Sequence, residues 1–300
     1  MIQSVIFDTD MTFGLPGAPV DSGLALLYLL GRKDIDVKAV TVTSGNEPIE
    51  KTLDAVSWLL RINNRTDIPV IKGCSGPGDY TTAAAEFLAN KSRDGGLTII
   101  STGSLGNIYG ASLLNTEFYA HCKQIICTGG LLYPLQTPGW KLEGDITLSN
   151  DTIAAEHVLN EAQNLVLMNM HIGALAALSV DDLFKIREYN VRLYYLVKEY
   201  LLSDNCREVN GKTSTFLWAM LPALFLCERD LFHDNTAAVK ADPENLTNGL
   251  ITLSERGNQV SMPDYITNVD EFFKRMHEGW KSSPFQNWPN FTSNEGEAGK

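Results

Sequence analysis

The chain has 300 residues, 44% hydrophobic and 20% charged, a globular composition with room for one large or two small domains. Its 36 acidic residues against 24 basic give a formal net charge of −12, a field that opposes nucleic-acid backbones and anionic membranes. The five cysteines (Cys74, Cys122, Cys127, Cys206 and Cys227) are scattered without a CxxC pair, which argues against a zinc site or a disulfide framework and for reduced thiols in a cytoplasmic protein.

The opening MIQSVIFDTD has neither a charged leader region nor a long apolar run, so it does not read as a signal peptide. No segment reaches the ~20 apolar residues of a membrane span. SVIFD reads as a strand, and DSGLALLYLLGR as a helix that Asp21 or Ser22 can cap and that stops near Gly31. DVKAVTVTSG is the next strand. EPIEKTLDAVSWLLRIN follows with Ile49, Leu53, Val56, Leu59 and Leu60 at helical spacing. IPVIKG, LTIIST, KQIICTGG and NLVLMNM continue the strands, with helices expected around 80–91, from Leu105 and from Asp151. From about residue 175 the pattern turns mainly helical, over 180–204, 214–228 and 270–282.

Alternation of this kind predicts an α/β fold with a mostly parallel central sheet flanked by helices and a helical C-terminal part. With no composition break, residues 1–282 read as a single domain and 283–300 as a polar tail. In such sheets ligands bind beyond the carboxyl ends of the strands. The sequence puts polar residues there: Asp8 and Asp10, Ser44-Gly45-Asn46, Thr102-Gly103, Thr128-Gly129-Gly130, and Asn169 with His171. Two carboxylates at a buried strand end repel each other and cost desolvation, so Asp8 and Asp10 call for a cation or hydrogen-bond donors. Gly14, Pro16, Gly17 and Pro19 make 11–20 a turn-rich connection.

Two enzyme classes open on such a motif. Asp8-Thr9-Asp10-Met11-Thr12 fits the DxDxT pattern of haloacid-dehalogenase-type phosphatases, in which the first Asp attacks phosphorus. GDITLSND imitates their acidic metal motif, but neither Lys123 nor Lys141 stands in the context that chemistry needs. The second resemblance covers more of the chain. FDTD…DSGLALL resembles the DxDxGxDDxxALLL opening of nucleoside hydrolases, the inosine–uridine-preferring nucleoside N-ribohydrolases. VKAVTVTSGNEPIEKTLDAVSWLLRINNRTDIPVIKG resembles their second strand, Gly-Asn turn, helix and DIPV strand. LTIISTGSLGNI resembles their GPLTNI segment, and KQIICTGG their MGG strand end. GDITLSNDTIAAEHVL resembles EFNxxxDPEAAxxVL, and NVDEFFKRM the final helix. The matches run in order from residue 4 to about 276.

That resemblance implies a hydrolase that cleaves the N-glycosidic bond of a ribonucleoside or modified nucleoside to free base and ribose. It implies a calcium ion among aspartates, a small nucleoside-like ligand and a homodimer or homotetramer. By position, Asp10 matches the metal-binding general base and Asp8 its supporting carboxylate. Asp21, Asn46, Asp145 and Thr147 match sugar-binding positions. Asp10, Asp21 and the carbonyl of Gly106 match metal ligands. The family's Asp-Asp pair reads Asp21-Ser22 here, and its C-terminal His-Asp falls on Trp218 and Ala219. Calcium takes ~six to eight oxygen ligands, so fewer carboxylates leave more of the shell to water. Trp218 can stack on a base or pack as core, and His171 can supply the missing acid or a structural hydrogen bond. The rival from another class is a ligand-binding or scaffold protein that keeps the fold without turnover.

Overall fold

The computed structural model describes residues 2–137, 140–175, 177–203, 206–209 and 212–285, so only 283–285 of the expected tail are described. The N-terminal half alternates as expected: β1 (Gln3–Thr9), α1 (Asp21–Gly31), β2 (Ile35–Val42), α2 (Ile49–Ile62), β3 (Val70–Lys72), α3 (Ala83–Ser92), β4 (Leu97–Ser101), α4 (Gly106–Leu114), α5 (Phe118–His121) and β5 (Cys122–Thr128). A small hairpin, β6 (Leu135–Thr137) and β7 (Trp140–Leu142), precedes α6 (Ile146–Ser149), α7 (Thr152–Glu161), β8 (Leu165–Met168) and α8 (Met170–Gly173).

The C-terminal part holds β9 (Ala177–Ser179), α9 (Val180–Tyr189), α10 (Val191–Leu201), β10 (Arg207–Val209), β11 (Lys212–Phe216) and α11 (Met220–Cys227). After a 3-10 turn at Arg229–Leu231 come β12 (Thr236–Lys240), α12 (Pro243–Leu246), β13 (Thr252–Leu253), β14 (Asn258–Ser261) and α13 (Val269–Ser282). Among the described residues the main sheet runs β13-β12-β14-β8-β5-β4-β1-β2-β3. It is parallel from β3 to β14, and β12 and β13 add an antiparallel edge.

Strand periodicity divides the core in two. Val5 and Phe7 of β1 pack into one apolar cluster with α1, α2 and α13, while Ile6 faces a second cluster with α3, α4 and α7. Asp8 shares the Ile6 face, which aims it toward α4.

Two C-terminal expectations change. The expected helix over 180–204, described to residue 203, is two helices ending at Leu201, because Asn190 ends one and caps the next. Its side chain accepts from the Leu193 N–H (2.9 Å) and donates to the Phe285 carbonyl (2.8 Å). The stretch 214–228 is helical only from Met220. Residues 214–216 belong to β11, whose Ser214, Thr215 and Phe216 pair with Ser179, Leu178 and Ala177.

The 11–20 connection is pinned rather than loose. Met11 and Phe13 are fully buried, and Phe13 lies against Gly23 so closely that a Cβ there would stand 2.3 Å from its Cβ. Turn bonds from Leu15 N–H to the Thr12 carbonyl (3.1 Å) and from Ala18 N–H to the Leu15 carbonyl (3.2 Å) shape the rest.

Candidate functional site

Beyond the carboxyl ends of the parallel strands lies a cavity of about 210 Å³. Asp10, just past β1, is a buried carboxyl in its lining. Its Oδ2 accepts from both the backbone N–H and the side-chain amide of Asn46, each at 3.1 Å. Its Oδ1 is buried with no hydrogen-bond partner. Burial, reinforced by the neighbouring charges of Asp21 and Asp8, pushes this carboxyl up to about 7 against the Asn46 backbone bond. The turn after β2 reaches Asp10 only because residue 45 is glycine: a Cβ there would stand 2.1 Å from Asp10 Oδ2.

Asp8 has a different environment. It is wholly buried and is not part of the cavity lining. Thr41 Oγ1 donates to its Oδ1 at 2.6 Å, Asn107 Nδ2 to the same oxygen at 2.8 Å, and Ser101 Oγ to Oδ2 at 3.1 Å. Burial still outweighs these donors and raises the carboxyl to about 6. Asn107 also donates to the Val42 carbonyl (3.1 Å) and accepts from the Cys74 N–H (2.8 Å), so it ties β1, β2 and the segment after β3 to α4. Nothing in the sequence pattern singled it out. Its polar side chain one residue into an apolar helix, after a Gly-Ser-Leu-Gly turn, was the available signal.

Asp21, the first residue of α1, is half-buried and lines the cavity. It does not cap its helix. Its Oδ2 accepts instead from the Ala219 N–H at 3.0 Å, and burial raises its pKa. The backbone of Ala219 thus occupies the place where the resemblance sets an acidic side chain. Ser22, Thr102 and Thr128 add hydroxyls to the lining.

Asp145 caps α6, accepting from Thr147 N–H (3.0 Å), Leu148 N–H (3.2 Å) and, from across the site, Gly130 N–H (2.7 Å). Burial raises its pKa against those donors. Thr147 lines the cavity beside it. Asn150 Nδ2 donates to the Ser44 carbonyl at 3.3 Å and links this segment to the Asn46 turn.

Trp218 also lines the cavity, its indole N–H on the Met170 carbonyl at 3.2 Å. Phe216 lies beside it, ring centroids 5.1 Å apart and planes at 31°, and Tyr200 of α10 also lines the cavity. Phe216 and Tyr200 escaped the sequence reading because their segments read only as core helix.

His171 and Gly106 are elsewhere. His171 Nε2 accepts from the Leu132 N–H (3.1 Å), its ring packs against Tyr133, and burial lowers its pKa, so it is a neutral structural hydrogen-bonder outside the lining. Gly106 opens α4 against Cys74 and is not a lining residue.

The donor set can be weighed against a metal. The unpartnered Oδ1 of Asp10, the adjacent Asp21 and the neutral hydroxyls of the lining are hard oxygens that suit calcium. Among the described residues no group of three or more His, Cys, Asp or Glu side chains converges, so the protein's charged share is two carboxylates.

A model of the inosine-uridine preferring nucleoside hydrolase family matches residues 5–274. The chain belongs to that family. Its members are hydrolases acting on N-glycosyl compounds, and the phosphatase-like DxDxT is a coincidence of Thr12 following the family's DxD. A pyrimidine-specific ribonucleoside hydrolase RihA of Escherichia coli O7:K1 is 27% identical over 212 residues, covering 60% of this chain and 67% of that one. Among solved structures, a plant nucleoside hydrolase superposes with TM-score 0.78 at 18% identity, over 93% of this chain and 98% of its own. The inosine-uridine preferring nucleoside hydrolase of Bacillus anthracis superposes with TM-score 0.76 at 18% identity, over 94% and 100%. These likenesses establish the nucleoside hydrolase fold, a mostly parallel sheet flanked by helices. No helix among the described residues is long and apolar enough to cross a membrane.

Proposed function

We propose that the cavity hydrolyses the N-ribosyl bond of a ribonucleoside, with Asp10 as the base. The observation that carries this reading is that Asp10 lines the cavity and keeps one carboxylate oxygen, Oδ1, without a hydrogen-bond partner. Asn46 occupies the other oxygen and fixes the carboxylate's orientation, so the free oxygen can take a proton from water as that water adds to C1′. The electron pair of the C1′–N bond passes to the base. Asp21, Asn46, Asp145 and Thr147 hold the sugar hydroxyls. Asp8 supports the strand end from within the core rather than reacting.

Calcium, when bound, supplies charge neutralisation and polarises the oxygens around it. Asp10 and Asp21 are the side chains that would hold it. The chain acts as a single domain over 1–282, in the cytoplasm, as a homodimer or homotetramer.

The decisive assay is release of free base and ribose from a panel of purine and pyrimidine ribonucleosides. Wild-type protein turns over at least one, and Asp10→Ala lowers kcat by ~10²–10⁴, the usual contribution of a general base. Tight nucleoside binding without turnover would replace this reading with the ligand-binding one. Light scattering tests the oligomer.

A further inference from the structure

β1 carries one residue that its periodicity does not account for. Val5, Phe7, Met11 and Phe13, at alternate positions of the sequence, all belong to one buried apolar cluster. Thr9 takes the remaining place in that row, between Phe7 and Met11, and is fully buried at 0% exposure. A valine has the same shape and no hydroxyl to desolvate, so packing alone favours an apolar residue there. Thr9 Oγ1 instead accepts two bonds, from the Met11 N–H at 3.1 Å and from the Thr102 hydroxyl at 2.8 Å. Thr102 stands just past β4 and lines the cavity. Thr9 itself is outside the lining.

These bonds converge on the backbone around Asp10. On its N-terminal side the Asp8 carbonyl accepts from the Thr102 N–H and the Thr9 carbonyl from the Thr43 N–H, each at 2.9 Å. On its C-terminal side the Met11 N–H is held by Thr9 Oγ1. Gly103 closes one flank: a Cβ there would stand 2.8 Å from Asp10 N and 3.1 Å from Asp10 Cβ. The chain leaves the sheet after Thr9, and the Thr9 hydroxyl ties the outgoing Met11 back to the end of β4. Resting on the N-ribosyl hydrolase reading, we propose that Thr9 is a positioning residue for that reaction: its hydroxyl, bridging Met11 and Thr102, fixes the main chain from which the Asp10 carboxylate acts. Asn46 sets how that carboxylate is turned, and Thr9 sets where it starts. Thr9 moves no proton. A displacement of about 1 Å at a reacting group costs ~10²-fold in rate, so a single hydroxyl behind the site is enough to govern turnover.

Thr9→Val keeps the shape of the side chain and removes the acceptor. With uridine or inosine, whichever the wild-type protein cleaves faster, the variant should lose ~10–100-fold in kcat while KM stays within about twofold of wild type. Thr9→Ser, which keeps the hydroxyl, should recover most of that loss. Thr102→Val removes the same bond from its other partner, so in the double variant the two losses should fall short of multiplying. Melting curves and circular dichroism separate this role from support of the fold alone, which would lower the melting temperature and leave kcat per folded molecule unchanged. If Thr9→Val does not fold, Thr102→Val carries the kcat comparison, and an unchanged kcat there overturns the proposal. An unchanged kcat in folded Thr9→Val, a loss that Thr9→Ser does not recover, or losses that multiply fully overturn it as well and leave the hydrolase reading standing. Wild-type protein that cleaves no ribonucleoside overturns both.

Discussion

Asp8 and Asp10 lie two residues apart at one strand end and differ in their access to the cavity and in the donors each receives. Asp8 is satisfied on both oxygens by Thr41, Asn107 and Ser101, and Asp10 on one by Asn46. That difference has a pH signature. Asp10 titrates near 7 in the folded chain against 3.8 for an ordinary Asp. Well below 3.8, folded and unfolded chains are both largely protonated there, and burial of the group costs little. As pH rises toward 7 the unfolded carboxylate ionises first, and stability is lost across that window. Asp10→Asn removes the titration. In chelator-treated protein it should leave urea stability nearly unchanged well below pH 3.8 and raise it at pH 7.5 by on the order of 2–4 kcal/mol. Asn107 is the opposite case, since its amide joins three segments around Asp8. Asn107→Leu takes one of two donors from Asp8 Oδ1 and removes partners of the Val42 carbonyl and the Cys74 N–H, and should cost ~3 kcal/mol by the same measurement.

At the scale of elements, the site is made where strand ends meet short turns, and each turn is held by a specific side chain. The turn after β2 depends on residue 45 having no Cβ. Gly45→Ala should therefore impair kcat far more than melting temperature, because it displaces Asn46 from Asp10 while leaving the core intact. The 11–20 connection depends on Phe13, and its Pro19 and the α10 residue Tyr200 both line the cavity. Phe13→Ala should cost ~3–5 kcal/mol and open the Gly14–Ala18 stretch to limited proteolysis, a readout that separates a pinned loop from a mobile lid. The strand ends were legible in the sequence because each parallel strand is a continuous apolar run that stops at a polar turn, as SVIFDTD and KQIICTGG do. β11 was not legible. KTSTF followed by an apolar run reads as one amphipathic segment, and only pairing with β9 separates strand from helix. The same blind spot concealed Phe216, while Trp218 came through on the family resemblance alone. His171, read as ending a strand, lies inside α8 just past β8, and whether its ring faces a cavity or a backbone N–H is a three-dimensional fact.

For the whole molecule, the net charge of −12 and the carboxylates of the cavity point the same way, toward cations. Calcium that binds the folded chain and not the unfolded one must stabilise it by mass action, so millimolar calcium should raise the melting temperature by a few degrees. Asp21→Asn should abolish that shift while retaining the fold, since Asp21 also accepts from Ala219 and an amide oxygen can do the same. Outside the cavity lining, Glu228 gathers Arg32 of the chain beyond α1 and Arg275 of α13, at 2.5 and 2.7 Å, and joins the N- and C-terminal parts of the chain. None of the three lines the cavity.

The vacant side of Asp10 also bears on how this protein would respond to laboratory evolution. A library screened only for heat resistance rewards whatever supplies that oxygen with a donor or removes its charge, since either relieves a standing cost of the fold. Such clones would be recovered early, express well and look improved by every measure of solubility and melting. On the proposed mechanism they would have lost the oxygen that takes the proton from water. Any stabilisation of this chain therefore has to hold position 10 fixed, or score catalysis in the same round.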